Sequence, residues 1–360
     1  MKVVLIGDGN SPHLLKWARA LQPRVDLWAV SSRGFDVGFN TLMPLDRRLA
    51  LCTQPRFAGG NIGLLRHLPE VSRWLRAIEP DWLAPHYLSS HGTLAWLATR
   101  LGGVKAPIAG SAWGSDILVA PERSRAMRWV TRQVLQACTL TTSDSQHMAE
   151  RMKALGAGEV MVFPFGLESL PAAPPAKEPA LFFANRGLEP IYAPGRVLRV
   201  FAGLAAGWPE ARLVVANDGS LRAATEALAG ELGLSERVLF VGRLDAATQA
   251  QWYARARWYL SLPESDSVSV SVLEAMGHAC IPILSDLPAN RELVEDGRNG
   301  VVVGDGETPG RARLAALAAD ADAIGARLRA WVGAQAMFPA SVNAYVKRLE
   351  ALSASGHPRP

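Results

Sequence analysis

The chain has 360 residues, 49% hydrophobic and 20% charged, with Lys and Arg exceeding Asp and Glu by five. That length is more than one comfortable core, and the composition is that of a folded chain of helices and strands, which excludes disorder and collagen-like structure and favours two domains. No run approaches the roughly eighteen apolar residues of a membrane-spanning helix, and the apolar stretch of "MKVVLIGDGNSPH" is too short for a secretory leader, so the expected compartment is the cytoplasm.

Cys52, Cys138 and Cys280 are widely spaced and odd in number, which argues against a disulfide framework and against a Cys-based zinc site. The charge is uneven: Met1 to Phe165 carries 19 basic and 12 acidic residues, and the remainder 19 and 21. A first half at +7 beside a second at −2 fits an Arg-rich solvated surface, and equally a phosphate-rich or anionic membrane partner. No nucleic acid is expected, because the interleaved aromatic and basic pattern of the recognised modules is absent.

In chain order, "VVLIG" (3–7), "VDLWAVS" (25–31), "DWLAPH" (81–86), "PIAGSA" (107–112), "LTTS" (140–143) and "VMVFP" (160–164) read as short buried strands, most of them separated by helical patterns such as "LLRHLPEVSRWLRAI" and "TLAWLATRL". "GLESLPAAPPAKEP" is too rich in Pro and Ala for a strand. A second set follows: "LFFAN", "RLVVAN", "VLFVG", "WYLSLP", "IPILSD" and "GVVVG". Strands alternating with helices predict parallel sheets with crossover helices, and here an α/β chain of two Rossmann-like halves. The expected boundaries are a first domain over 1–166, a linker over 167–179, a second domain over 180–335 and a last helix over 336–360 crossing back to the first. Ligands of such sheets sit beyond the carboxyl ends of the strands, so two of them facing each other predict a ligand cleft.

The stretch "ESDSVSVSVLEAMG" (264–277) runs from the end of a strand into a helix beginning near Val270. Two readings of Glu274 fit it. Small serines and free amides at a helix start suit a phosphate, with Glu274 about one turn on accepting ribose hydroxyls. Alternatively, Ser271-Val272-Leu273-Glu274 is a capping box and Glu274 ties off the helix.

The longer stretch "SLPESDSVSVSVLEAMGHACIPILSDLPANRELVEDGRNGVVV" resembles the donor-binding core of retaining glycosyltransferases of family 4, nucleotide-sugar-dependent enzymes of the GT-B fold, whose two carboxylates stand eight positions apart. Here these are Asp266, where the family most often has Glu, and Glu274. The resemblance implies that the backbone around Val270 and Ser271, with Ser267 beside it, holds the donor diphosphate, Glu274 the ribose and Asp266 the transferred sugar. "FANRGLEPIYAP" resembles the strand whose Arg neutralises the diphosphate, here Arg186; the family's usual Lys is replaced near Ile191 or Tyr192. "FVGRL" makes Gly242 and Arg243 candidates for contacts with the base.

In the first half, Gly9 of "GDGNSPH" matches the family's glycine loop, where a missing Cβ allows close approach. His86 ends its strand where the family commonly has a His near the donor sugar, with His91 the rival. "GSAWGSDIL" matches a segment that usually reads His-Gly-x-Asp, with Trp113 in the His place and Asp116 either facing the ligand or capping a helix. Ser11, His13, His91, Trp113 and Asp116 are the acceptor-side candidates.

The implied activity is transfer of a sugar from a nucleotide diphosphate to an acceptor hydroxyl with retention, without a metal or other cofactor. The Asp-x-Asp at Asp320 to Asp322 lies in an Ala-rich helical tract. An epimerase of nucleotide-activated amino sugars and a catalytically silent sugar-nucleotide-binding subunit are the alternatives. For the acceptor, "RFAGGNIGLLRHLPEVSRWLRAIEP" sets Arg56, Arg66, Arg73 and Arg76 among Leu64, Leu65, Leu68, Trp74 and Leu75. It is either a basic amphipathic helix resting on an anionic membrane, suiting envelope polysaccharide or glycolipid synthesis, or an ordinary crossover helix whose leucines face the core.

Overall fold

Each apolar run of the first half is a strand in one parallel sheet, and each of the second half a strand in another. The computed structural model describes residues 1–54 and 62–355, and the chain divides into two compact units, Met1–Phe163 with Phe338–Pro360 and Pro164–Met337.

The strands of the first unit are β1 (Lys2–Gly7), β2 (Asp26–Ser31), β3 (Arg48–Ala50), β4 (Trp82–Pro85), β5 (Ile108–Ser111), β6 (Cys138–Ser143) and β7 (Glu159–Val162), in the order β3-β2-β1-β4-β5-β6-β7. The helices are α1 (Pro12–Leu21), α2 (Ile62–Leu65), α3 (Leu68–Ile78), α4 (Thr93–Arg100), α5 (Ser115–Leu118), α6 (Arg125–Ala137) and α7 (Gln146–Ala154). The sequence pattern missed β3, a three-residue edge strand that starts on Arg48 and has no buried face. Its residues carry no alternation because an edge strand is held by one ladder, here to Ala29 to Ser31 of β2.

The second unit has β8 (Glu178–Ala184), β9 (Arg212–Ala216), β10 (Val238–Gly242), β11 (Ala256–Ser261), β12 (Ile281–Ser285) and β13 (Val301–Val303), in the order β10-β9-β8-β11-β12-β13. Around it lie α8 (Pro194–Leu204), α9 (Arg222–Glu231), α10 (Ala246–Arg255), α11 (Val270–Gly277), α12 (Pro288–Arg291), α13 (Ala312–Ala319) and α14 (Ala321–Gln335). The Pro-rich stretch has no regular structure before β8 and is anchored on this unit. Leu167 donates its N–H to Ala336 O at 2.8 Å, and a Cβ on Gly166 would stand 1.7 Å from that same oxygen, so only glycine fits there.

The last helix, α15 (Phe338–Ala354), belongs to the first unit. Trp17 of α1 is almost wholly buried and packs edge-on against Phe338 and Tyr345, with ring centroids 5.1 and 5.4 Å apart. Trp82 Nε1 donates to Ser353 Oγ at 2.9 Å, and Arg348 grips both oxygens of Glu159 at 2.6 and 2.7 Å.

In both sheets the strand order reverses next to the first strand, between β1 and β4 and between β8 and β11. Loops leaving those two pairs diverge, and the crevice they open is where side chains can converge on a ligand.

Of the two readings of the basic amphipathic stretch, the packing fits the crossover helix. Leu64, Val71 and Leu75 are buried in the core of the first unit, with Leu68 and Trp74 packed against it. The apolar stripe that a bilayer would need is therefore already covered. Arg56, which completed that pattern, lies outside the described residues. Among the described residues no helix is long and apolar enough to cross a membrane.

Candidate functional site

At the β8–β11 reversal of the second unit, Arg186 follows β8 by two residues. Its guanidinium donates to the hydroxyls of Ser269 and, at 3.3 Å, Ser271, and stands 2.7 Å from an Asp266 carboxylate oxygen. Tyr192, near the place where the family's lysine was missing, stacks under it with the guanidinium carbon 4.4 Å from the ring centroid. Burial raises the Asp266 carboxyl above its ordinary range, and the Arg186 charge only partly offsets this.

Helix α11 begins at Val270, with Ser269 in the N-cap position and no side-chain cap. A capping box would need Ser271 in the Ser269 place and a Glu at Val272; Glu274 is the fifth helical residue, so the capping reading fails. The amides of Val270 and Ser271 make no hydrogen bond among the described residues. Open amides at the positive end of an eight-residue helix and a guanidinium set against the same end together favour an anion, a charge that the Asp266 carboxylate supplies here.

Glu274 is half-buried and held in place: its Oε2 accepts from the Tyr253 hydroxyl at 3.1 Å and from Gln249 Nε2 at 3.3 Å. The Tyr253 oxygen accepts from Asn185 Nδ2 at 2.8 Å, and Tyr259 donates to Asn185 Oδ1 at 2.7 Å while lying 2.9 Å from Ser271 Oγ. Burial pushes both phenols well up, which keeps them neutral donors. Sequence reasoning passed over Asn185, Tyr253, Tyr259 and Gln249. The usable signal was two tyrosines in otherwise apolar, buried segments, whose hydroxyls must find partners.

Ser267 is buried and donates its N–H to Asp266 Oδ1 at 3.0 Å, shaping the loop behind the carboxylate. Gly242 takes φ +68°, which favours glycine, and its carbonyl accepts from Asn217 N at 2.6 Å. Asn217 Nδ2 in turn reaches Asn185 O at 3.3 Å, which ties the end of β10 to the Arg186 cluster. Arg243 is exposed and forms no ion pair among the described residues.

At the β1–β4 reversal of the first unit, His86 follows β4 and is almost fully buried. Trp113 Nε1 donates to its Nδ1 at 3.2 Å, which assigns the ring proton to Nε2. Burial, with the neighbouring His91, lowers its pKa to about 3, so it is a neutral ring at physiological pH. His13 is exposed at the start of α1 and packs edge-on against Trp113 at 5.5 Å. Ser11 is the N-cap residue of α1 and makes no side-chain cap bond.

Three candidates of this unit turn out to hold structure. His91 is buried with both ring nitrogens used: Nδ1 donates to His86 O at 2.7 Å and Nε2 accepts from Ser32 Oγ at 3.0 Å. Asp116 does not face a ligand; it is 0% exposed and accepts from the amides of Leu88 at 2.7 Å and Trp113 at 2.9 Å. Gly9 is required by the fold, since a Cβ there would lie 2.6 Å from Gly34 O and 2.7 Å from the Phe35 ring. Its own amide is bound to Ser31 Oγ at 2.8 Å, so it has none to offer a phosphate.

Two Rossmann-like units, one gathering a guanidinium, two carboxylates and open helix amides at its sheet reversal, define a protein built to hold an anionic, hydroxyl-bearing ligand of the nucleotide kind. Residues 2–145 match the "Glycosyl transferase 4-like" family model and residues 169–316 the "Glycosyl transferases group 1" model. The chain belongs to the glycosyltransferases of the GT-B fold.

Solved structures agree on the fold. Anabaena HepE in complex with UDP superposes with a TM-score of 0.71 at 16% identity, covering 99% of this chain and 100% of its own. Sucrose-phosphate synthase from Thermosynechococcus elongatus gives 0.74 at 15% identity, covering 98% and 100%. The lipopolysaccharide outer core galactosyltransferase WaaB gives 0.63 at 19% identity, covering 99% and 98%. No match was found among curated proteins.

Proposed function

We propose that the chain transfers a sugar from a nucleoside diphosphate sugar to an acceptor hydroxyl with retention of anomeric configuration. The observation that carries the donor half is the Arg186 guanidinium set against the uncapped N-terminus of α11, one helical turn before a Glu274 carboxylate fixed by Tyr253 and Gln249. A diphosphate lying among them gains from the guanidinium and from the helix amides at once, and takes the place of the Asp266 carboxylate as the guanidinium's partner. Glu274 then accepts the ribose hydroxyls. Asp266, released from Arg186 by the incoming phosphate, accepts a hydroxyl of the sugar.

In the reaction so inferred, the acceptor oxygen forms its bond to the anomeric carbon on the face that the diphosphate leaves. The carbon–phosphate-oxygen bond breaks, and the acceptor proton passes to the departing phosphate oxygen. Arg186 and the amides of Val270 and Ser271 stabilise the charge that develops there, so the scheme assigns no metal. His86, with its proton on Nε2 and its pKa lowered to about 3, stays neutral, which suits a hydrogen-bond donor rather than a titrating base.

HepE's complexes with UDP and UDP-glucose make UDP sugars the first donors to try. The similarity to a lipopolysaccharide galactosyltransferase, with the basic first half, favours an envelope glycan or glycolipid acceptor reached from the cytoplasm. The experiment is a thermal-shift titration with UDP, GDP, dTDP, ADP and their sugar conjugates, repeated on Glu274→Ala and followed by a turnover assay. One nucleotide that stabilises the wild type and not the variant supports the donor site. No response from any of them overturns it. Binding without transfer or slow hydrolysis would make the chain a silent sugar-nucleotide-binding subunit.

A further inference from the structure

The basic excess of the first half is concentrated on one helical face. Between Trp82 and Ser143 the acids are Asp116 and Glu122, against Arg100, Lys105, Arg123, Arg125, Arg128 and Arg132. Asp116 is buried, and Glu122 is taken by Arg128 at 2.8 Å and by Arg151. Arg100, Lys105, Arg125 and Arg132 are exposed and make no ion pair among the described residues.

These cations surround apolar groups that the core does not use. Helix α6 buries Thr131, Val134 and Leu135 and turns Trp129 outward, where it is 57% exposed. Trp96 of the neighbouring α4 meets it edge-on at 6.2 Å, and Leu101, at the end of α4, is 72% exposed. On α6, Arg125, Trp129 and Arg132 follow at helical spacing along one side, and on α4 Arg100 stands one turn beyond Trp96. An open cleft of about 790 Å³ runs along α6, with Arg125, Arg128, Trp129 and Arg132 in its lining beside the ion-paired Glu122.

We propose that the α4–α6 face of the first unit is a docking surface for an anionic lipid bilayer, with Trp129 and Leu101 entering the headgroup region and Arg100, Arg125 and Arg132 pairing with lipid phosphates. Charge complementarity selects an anionic partner, because the face carries uncompensated cations and its acids are withdrawn or neutralised. The apolar groups select a bilayer over a soluble polyanion: indole rings favour the membrane–water interface, and an exposed Trp and Leu gain nothing from a solvated phosphate. This places membrane contact on a different element from α3, whose leucines are consumed by the core. It deepens the reading of an envelope acceptor, since it would hold the enzyme at the surface where such an acceptor resides, yet it rests on no feature of the donor site.

The test is co-sedimentation of the full chain with vesicles of phosphatidylglycerol in phosphatidylcholine and with vesicles of phosphatidylcholine alone. Binding is expected to the anionic vesicles only and is released by raising salt. The double variant Arg125→Ser/Arg132→Ser should lower the partition coefficient roughly thirtyfold at low salt, from about 1 kcal/mol for each basic residue at the surface. Trp129→Ser should lower it further, and unchanged melting temperatures would show that these exposed substitutions leave the fold intact. Absence of binding by the wild type, equal binding to neutral vesicles, or full binding by the double variant would each overturn the proposal. A wild type that binds vesicles but no nucleotide would overturn the donor site and leave this surface standing.

Discussion

At the carboxyl edge of the first sheet the polar side chains are buried and its imidazoles neutral, whereas at that of the second a buried guanidinium and two carboxylates stand at an uncapped helix start. His86, His91, Trp113 and Asp116 are linked by hydrogen bonds, with neutral imidazoles. Arg186, Asp266, Ser269 and Ser271 crowd an uncapped helix start. Two sheets with the same strand-order reversal thus end in a buried, neutral network and in a charged cluster beside an uncapped helix start. Parallel-sheet topology supplies the crevice, and side-chain desolvation decides what it can bind.

The sharpest way to break this contrast is Arg186→Ala. It removes the buried cation and leaves Asp266 desolvated and unpaired, so nucleotide diphosphate binding by calorimetry should fall by about 3 kcal/mol or more, with a measurable loss of stability. Arg186→Lys should recover only part of the affinity, because it keeps the charge and loses the fork.

Next in size is Glu274→Gln, expected to weaken the donor by roughly ten- to a hundredfold in KM while the melting temperature barely moves. A fall in stability with unchanged KM would return Glu274 to a structural role. Tyr253→Phe should follow with a several-fold rise in KM and about 1–2 kcal/mol of stability, since it frees Asn185 Nδ2 as well as Glu274.

For Asp116 of the first unit the expected effect is on stability alone. Asp116→Asn replaces an acceptor of two amides by a group that can turn only one oxygen to them, at a cost of about 1–3 kcal/mol in denaturant unfolding, with nucleotide affinity unchanged.

The smallest test is pH. His86, His91 and His278 have folded pKa values of about 3, 4 and 4 against an ordinary 6.5, each lowered first by burial. The unfolded chain therefore binds more protons below pH 6.5, and their contribution to stability is lost as pH falls from there to about 4. Asp116, raised by burial from 3.8 to about 6, acts oppositely and recovers a little stability over that interval. Asp266, also raised by burial, acts in the same sense as Asp116; with three groups against two, the melting temperature should still fall on acidification. Replacing His278, the half-exposed member, by Gln should flatten that slope.

Much of the fold was legible because a buried parallel strand must be a short apolar run, and every such run from "VVLIG" to "GVVVG" is a strand. The edge strand β3 carried no such mark. In the site, the carboxylate pair, the arginine and the helix start stood in one sequence pattern, whereas Tyr253, which holds Glu274, comes from α10, and Tyr259, which braces Asn185 and Ser271, from β11. The same limit left two readings open for the basic amphipathic stretch: 62–78 and 125–137 look alike in sequence, and only packing shows which apolar groups the core has used.

By itself, then, the sequence determined the elements, the two Rossmann-like halves and the charged groups after β8 and β11, because hydrophobic periodicity and local helix chemistry act over neighbouring residues. Tertiary structure alone decided that His91, Asp116 and Gly9 serve the fold, that Glu274 is positioned rather than capping, and that α6 is the exposed aromatic face. Burial and hydrogen-bond satisfaction join residues far apart in the chain, and no local pattern encodes them.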